Sequence, residues 1–263
     1  MRLKPRNAKI GLLIFVFILA AAKIVLAGKA GEPVVKNFSV DKKNKAFSYV
    51  LTEPATVRLR VGSKSGPLYR TLINWQRQKK GRHTLKWDGM DISGAFNILD
   101  NKNFTFSFNY YLDGKENEAM GDYSGSDVIF SDNFIGRVPR LVHLGQNHKK
   151  HDKNHCGDLE AILRIPPDME KTEEGLPKVK KVLPVTIDLP SEDKQWFSRE
   201  RFSINIFIDD VFVAGEALGY IPYTWSFNPK GINKGRHLIT VNMKGFNDHI
   251  AVGSLSVYVD REE

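Results

Sequence analysis

The chain has 263 residues, 39 of them Lys or Arg against 30 Asp or Glu, for a formal net charge of +9. Five of the basic residues and no acidic ones fall in the first 27 positions, so the remainder carries 34 basic against 30 acidic residues, +4, which gives no support to nucleic-acid binding. A single cysteine, Cys156, excludes an intramolecular disulfide framework, so stability must come from apolar cores.

Residues 1–27 open with Arg2, Lys4, Arg6 and Lys9 and continue into an apolar run over 10–22. A charged segment, a short apolar stretch and the small-residue site Val25-Leu26-Ala27 before Gly28 read as a secretory signal peptide. The same residues, extended past Lys23 to Ala27, can also serve as an uncleaved anchor, because the Lys23 ammonium can snorkel. Either way the rest of the chain is expected outside the cytoplasm, in the periplasm or at the cell surface.

Residues 33–112 read as short strands separated by turns. Phe38 and Val40, then Phe47 and Tyr49, begin two alternating runs. Val57, Leu59 and Val61 alternate with Arg58, Arg60 and Gly62, the pattern of a half-buried strand. Phe104, Phe106 and Phe108 close the domain. The tetrapeptide Lys80-Gly81-Arg82-His83 recurs as Lys234-Gly235-Arg236-His237, each time ahead of a strand-like run. The glycine suits a tight turn, and the alternation puts His83, Leu85, Trp87 and His237, Ile239, Val241 on one face of each strand. The expected fold class is all-β: two tandem immunoglobulin-like β-sandwich domains after the N-terminal signal peptide or anchor.

The segment 113–156 connects the two. It contains His143, His148, His151, His155 and Cys156, residue types that bind Zn²⁺ or Cu. A helix would put His148, His151 and His155 on one face. The spacing matches no established ligand motif, and Lys149, Lys150 and Lys153 would repel a cation. A solvated polar linker is the leading reading, and a Zn or Cu site on His148, His151, His155 and Cys156 is its alternative.

Residues 157–262 repeat the strand-rich pattern. Leu159, Ile162 and Ile165 are followed by Val185, Ile187 and Leu189. Ile204, Ile206 and Ile208 alternate with Ser203, Asn205 and Phe207 up to an Asp209-Asp210 turn, and Val252 to Val259 closes the domain. The charged stretch 170–181 reads as a mobile loop.

Thr56-Val57-Arg58-Leu59-Arg60-Val61, Leu68-Tyr69-Arg70-Thr71-Leu72, Trp87-Asp88-Gly89 and Asp91-Ile92-Ser93-Gly94 together resemble the immunoglobulin-like domain of the flagellar hook-capping protein, over residues 45–112. Residues 183–260 are similar to immunoglobulin-like domains of bacterial surface proteins. The resemblance implies a core position for Trp87 and Trp225, with Asp88 and Asp91 capping the turn that Gly89 and Gly94 permit.

No nucleophile elbow, zinc-protease helix or phosphate loop is present in the sequence. The leading expectation is therefore a non-catalytic exported envelope protein with no cofactor, which binds or scaffolds other envelope proteins. A metal-binding or redox-complex accessory role through His143–Cys156 is one alternative. A glycan-binding module using Trp75 and Trp196 as exposed stacking platforms is the other. Membrane contact is expected only if residues 10–27 stay uncleaved.

Overall fold

The computed structural model describes residues 33–64, 66–112, 158–199, 201–245 and 249–260. The signal or anchor segment 1–27 and the connecting segment 113–156, with its His/Cys cluster, lie outside the described residues. The first sandwich contains β1 (Val35–Asp41), β2 (Ala46–Leu51), β3 (Ala55–Ser63), β4 (Leu68–Gln78), β5 (Gly81–Lys86), a 3-10 turn (Ile98–Asp100) and β6 (Phe104–Leu112). The second contains β7 (Leu159–Glu160), β8 (Ile162–Arg164), β9 (Lys178–Val179), β10 (Leu183–Asp188), α1 (Ser191–Phe197), β11 (Phe202–Ile208), β12 (Val211–Glu216), β13 (Tyr223–Phe227), β14 (Gly235–Gly245) and β15 (Ile250–Val259). No helix among the described residues is long and apolar enough to cross a membrane.

In the first sandwich, the sheets β1-β2-β5 and β4-β3-β6 close over one core built from Phe47, Tyr49, Leu51, Val57, Leu59, Val61 and Phe108. Aromatic packing is dense there. Phe38 stacks on Phe106 at 5.0 Å, and Phe47 stacks on Trp87 at 5.4 Å. Such contacts add a modest directional term to the burial of large apolar rings.

In the second sandwich, the sheet β13-β10-β8 faces the larger sheet β12-β11-β14-β15-β7. Val185, Ile187, Ile204, Ile206, Ile239, Val241 and Val257 fill the space between them. Gly253 is required on β15, because a Cβ there would lie 2.1 Å from the carbonyl oxygen of Ala161.

The repeated tetrapeptide forms the same local turn twice. Gly81 and Gly235 both have left-handed backbone, at φ 132° and 140°. His83 Nε2 donates to the Lys79 carbonyl and His237 Nε2 to the Asn233 carbonyl, each at 2.7 Å and each four residues upstream. A carbonyl only accepts, so these contacts fix the proton on Nε2. The predicted inward faces follow, with Leu85 and Trp87 packed on the first core and Ile239 and Val241 buried in the second.

Three sequence expectations need correction. The stretch 170–181 is an ordered excursion: Glu170 pairs with Lys178 at 2.5 Å and Lys180 at 2.7 Å, and β9 adds to β15 in parallel. The charges that suggested a solvated loop neutralise one another across a hairpin. Helix α1 interrupts the strand-rich pattern expected over 157–262. Its only local signals are Pro190 ahead of it and Glu192 and Asp193 in its first turn. Finally, β3 is buried along its whole length rather than on one face. Its arginine face is covered by Trp75, Thr71 and the start of the second sandwich at Asp158.

Candidate functional site: the junction of the two sandwiches

The two sandwiches belong to one compact unit, and they meet on the outer face of the β11-β14-β15 sheet. Alternation along these strands places Phe207, Leu238, Thr240, Asn242, Ser254 and Ser256 opposite the apolar core. On an isolated sheet that face would be solvated. Here Thr240, Asn242, Ser254 and Ser256 are buried where the first sandwich packs on the sheet, and Phe207, edge-on to Phe212, is buried as well. Leu68 and Ile92 of the first sandwich close over Ile250 and Val252.

The polar groups on this face are matched one by one. Asn242 acts as a strand residue in miniature: its Oδ1 accepts from the Leu68 N–H and its Nδ2 donates to the Leu68 carbonyl, both at 2.8 Å. The Ser254 N–H donates to Ser93 Oγ at 3.0 Å. Arg236 donates to the Ala95 carbonyl and to Ser256 Oγ, both at 3.3 Å. Buried polar atoms cost free energy unless paired, so this set defines one register between the sandwiches.

The Asp209-Asp210 turn is the second anchor. Both residues have positive φ, 47° and 73°, the geometry of a two-residue type I′ hairpin turn that usually takes Asn or Gly. Asp209 holds its place by accepting from the Leu238 N–H at 2.8 Å, with its Oδ2 2.5 Å from His237 Nδ1. Both His237 ring nitrogens therefore face oxygen acceptors. Asp210 reaches across the junction. It accepts from the Tyr69 hydroxyl, from Asn101 Nδ2 at 3.0 Å and from Asn103 Nδ2 at 3.3 Å. Burial, then the Asp210 carboxylate, push the Tyr69 hydroxyl well above the usual phenol range. Gly66 permits the approach, since a Cβ on it would sit 2.6 Å from the Asp210 carbonyl oxygen. A cleft of about 480 Å³ opens beside this cluster, lined by Phe96, Asp100, Lys102, Asp209, Arg236 and His237 among others.

A third cluster explains the buried arginines of β3. Arg58 lies over the Trp75 ring at 4.3 Å, and Arg60 Nε donates to Thr71 Oγ1 at 3.1 Å. Asp158, at the start of the second sandwich, accepts from the Thr71 N–H at 2.6 Å. Burial holds the Arg58 guanidinium well below its ordinary range, with Arg60 adding to the effect. Burial likewise lowers Lys244, followed by the charges of Arg60 and Arg58. Burial pushes the Asp158 carboxyl up, while Arg60 and the Thr71 bonds pull against it.

The sequence-predicted site residues separate cleanly. His143, His148, His151, His155 and Cys156 lie outside the described residues. Among the described residues, no three His, Cys, Asp or Glu side chains are grouped to hold a metal. Asp88 and Asp91 cap the predicted turn: Asp88 Oδ1 accepts from the Met90 N–H at 2.9 Å, and Asp91 Oδ1 from the Phe96 N–H at 3.1 Å. Trp75 and Trp196 are not the exposed platforms expected. Both are half-buried, Trp75 against Arg58 and Trp196 on the second core, edge-on to His249 at 4.8 Å. Trp87 and Trp225 pack on their cores yet remain half-buried. The pair Asp209-Asp210, a turn by its sequence, is central to the junction. Its hairpin position was legible in the sequence, but its partners across 109 and 141 residues were not.

No family model and no curated protein matches this chain. Among solved structures, an endo-beta-1,4-mannanase from Thermotoga petrophila is 17% identical, with 40% of this chain and 20% of that chain covered and a TM-score of 0.29. CopC from Methylosinus trichosporium OB3b is 16% identical over 40% of this chain and 97% of its own, with a TM-score of 0.24. A bacterial ice-binding adhesin is 9% identical over 88% of this chain and 66% of its own, also with a TM-score of 0.24. This chain thus spans a fifth of the mannanase, and likenesses of this size carry no argument about activity.

Proposed function

We propose that the chain is a non-catalytic exported protein of the cell envelope that scaffolds a larger protein assembly, with two immunoglobulin-like sandwiches as its body. The observation that carries this reading is the junction. Asn242, Ser254, Arg236 and Asp210 each make at least one hydrogen bond that holds one sandwich against the other. A spacer or scaffold needs that fixed geometry, because a flexible pair of domains would present its surfaces at no defined separation. The charged and then apolar N-terminus supports export, and the two-sheet sandwiches support the immunoglobulin-like reading.

The test is made in the native host. The full-length chain carrying a C-terminal epitope is fractionated into cytoplasm, periplasm and membrane, and then cross-linked in the intact envelope. The expected result is an envelope-located species well above the 29.8 kDa of the chain, containing other envelope proteins. Recovery in the cytoplasm, or as an uncross-linked monomer in the envelope, would overturn the proposal.

A further inference from the structure

Strand β12 is the outermost strand of the large sheet, with only β11 beside it among the described residues. Val211, Phe212 and Val213 are exposed at 64%, 56% and 43%, and Leu218 and Tyr220 beyond the strand are also exposed. The run 211–220, Val-Phe-Val-Ala-Gly-Glu-Ala-Leu-Gly-Tyr, contains no Lys, Arg or Pro. Edge strands are normally guarded by such residues, since an open row of backbone groups invites another strand. A bulge near Phe212 and Ala214 is the guard that remains. It does not close the edge at Phe212. In a two-residue hairpin the flanking pair Ile208/Val211 is hydrogen-bonded, so the next pair, Phe207/Phe212, is not. The N–H and C=O of Phe212 therefore point away from β11, toward the open side.

Charge selects the occupant. Residues 209–220 hold Asp209, Asp210 and Glu216 and no basic residue. A second copy pairing about a two-fold axis at the centre of β12 would place Glu216 opposite Val211 of the other copy, next to its Asp210 and Asp209. Carboxylates would then face one another at both ends, which destabilises a strand pair. A strand with the same apolar centre and basic ends meets no such repulsion.

From this we infer that β12 is a strand-addition site for an extended segment of a different protein, apolar over about five residues and flanked by Lys or Arg. The inference rests on the scaffold reading above and names the surface through which it acts. Backbone hydrogen bonds at Phe212 would supply affinity, the apolar side chains of Val211 and Val213 would supply contact, and Glu216 with Asp209 would select the basic ends.

Two synthetic ten-residue peptides with one Val/Ile/Thr core, one flanked by Lys and the other by Glu, are titrated onto the full-length protein. Fluorescence anisotropy measures binding, and hydrogen exchange of the Phe212 amide locates it. The Lys-flanked peptide should bind at least ten-fold more tightly, slow exchange at Phe212 and lose its binding in Val213→Lys, a substitution at an exposed position. Equal binding of the two peptides, or no protection of Phe212, would overturn the site. So would self-association of the free chain that Val213→Lys abolishes. In the host assay, Val213→Lys that keeps the envelope complex overturns β12 as its contact while the scaffold stands. A wild-type chain that binds the peptide yet forms no envelope complex overturns the scaffold and leaves the strand site.

Discussion

Replacing Asn242 with alanine tests whether the two sandwiches are held by matched polar groups or merely lie against each other. The substitution removes two hydrogen bonds of 2.8 Å and leaves the Leu68 N–H and C=O without them, at a residue only 2% exposed. A typical intramolecular hydrogen bond contributes about 1 kcal/mol net, and a buried orphaned group costs about 1–3 kcal/mol. Allowing for some local relaxation, the expected loss is about 2–4 kcal/mol. For a body of this size that corresponds to a fall in Tm of roughly 5–15 °C. Urea unfolding followed by tryptophan fluorescence and far-ultraviolet circular dichroism gives the measurement. Wild type should unfold with coincident transitions, whereas Asn242→Ala should show a lower midpoint and separated transitions as the sandwiches uncouple. Asn242→Asp sharpens the test. It keeps an acceptor for the Leu68 N–H but sets a carboxylate oxygen against the Leu68 carbonyl. That repulsion raises the folded-state pKa of the new carboxyl, so the variant should regain stability as pH falls and the protonated group can donate. A loss below about 0.5 kcal/mol in Asn242→Ala, with transitions still coincident, would refute the reasoning.

Gly66→Ala should destabilise the junction by about 1–3 kcal/mol, because its Cβ would meet the Asp210 carbonyl oxygen at 2.6 Å and either the turn or the β3–β4 connection must move; chemical denaturation measures it, and an unchanged midpoint would show that the approach is not tight. Trp87→Ala should cost about 2–3 kcal/mol, below the usual 3–5 for a fully buried ring, since Trp87 is half-buried on Phe47; a cost under 1 kcal/mol would remove it from the core. The Glu170 carboxyl is held down to about 2 by its bonds to Lys178 and Lys180. Its contribution is therefore present above the unfolded-state pKa and lost as pH falls toward 2, and carboxyl NMR titration of Lys178→Ala/Lys180→Ala should return it to the ordinary carboxylate range. Burial pushes the Tyr49 hydroxyl up to about 12, so the stability tied to its protonated form is lost as pH rises from the ordinary phenol range toward 12. Ultraviolet titration should show the same number of tyrosines ionising near pH 10 in wild type and in Tyr49→Phe, with one more ionising toward pH 12 in wild type only; an extra tyrosine ionising at pH 10 in wild type would contradict the burial of Tyr49.

Local physics carried the strand content and the core faces. Period-two alternation at Val57, Leu59, Val61 and at Ile204, Ile206, Ile208 assigns an inward face from the sequence alone, because side chains on a strand must alternate. The repeated Lys-Gly-Arg-His turn was legible for the same reason: glycine backbone freedom and a contact four residues away are both local. The outward faces were not legible. Arg58, Arg60, Thr240, Asn242 and Ser256 have the composition of a solvated surface, and alternation cannot tell water from a second, polar-matched domain. Only the tertiary structure decides that. Asn242 finds Leu68 174 residues away, and Asp210 finds Tyr69 across 141. The same limit applies to β12 in reverse: Val211, Phe212 and Val213 read as core by composition, and their place at the end of a sheet leaves them exposed. Hydrophobic pattern fixes which side chains share a face, whereas strand order and domain packing fix what that face meets.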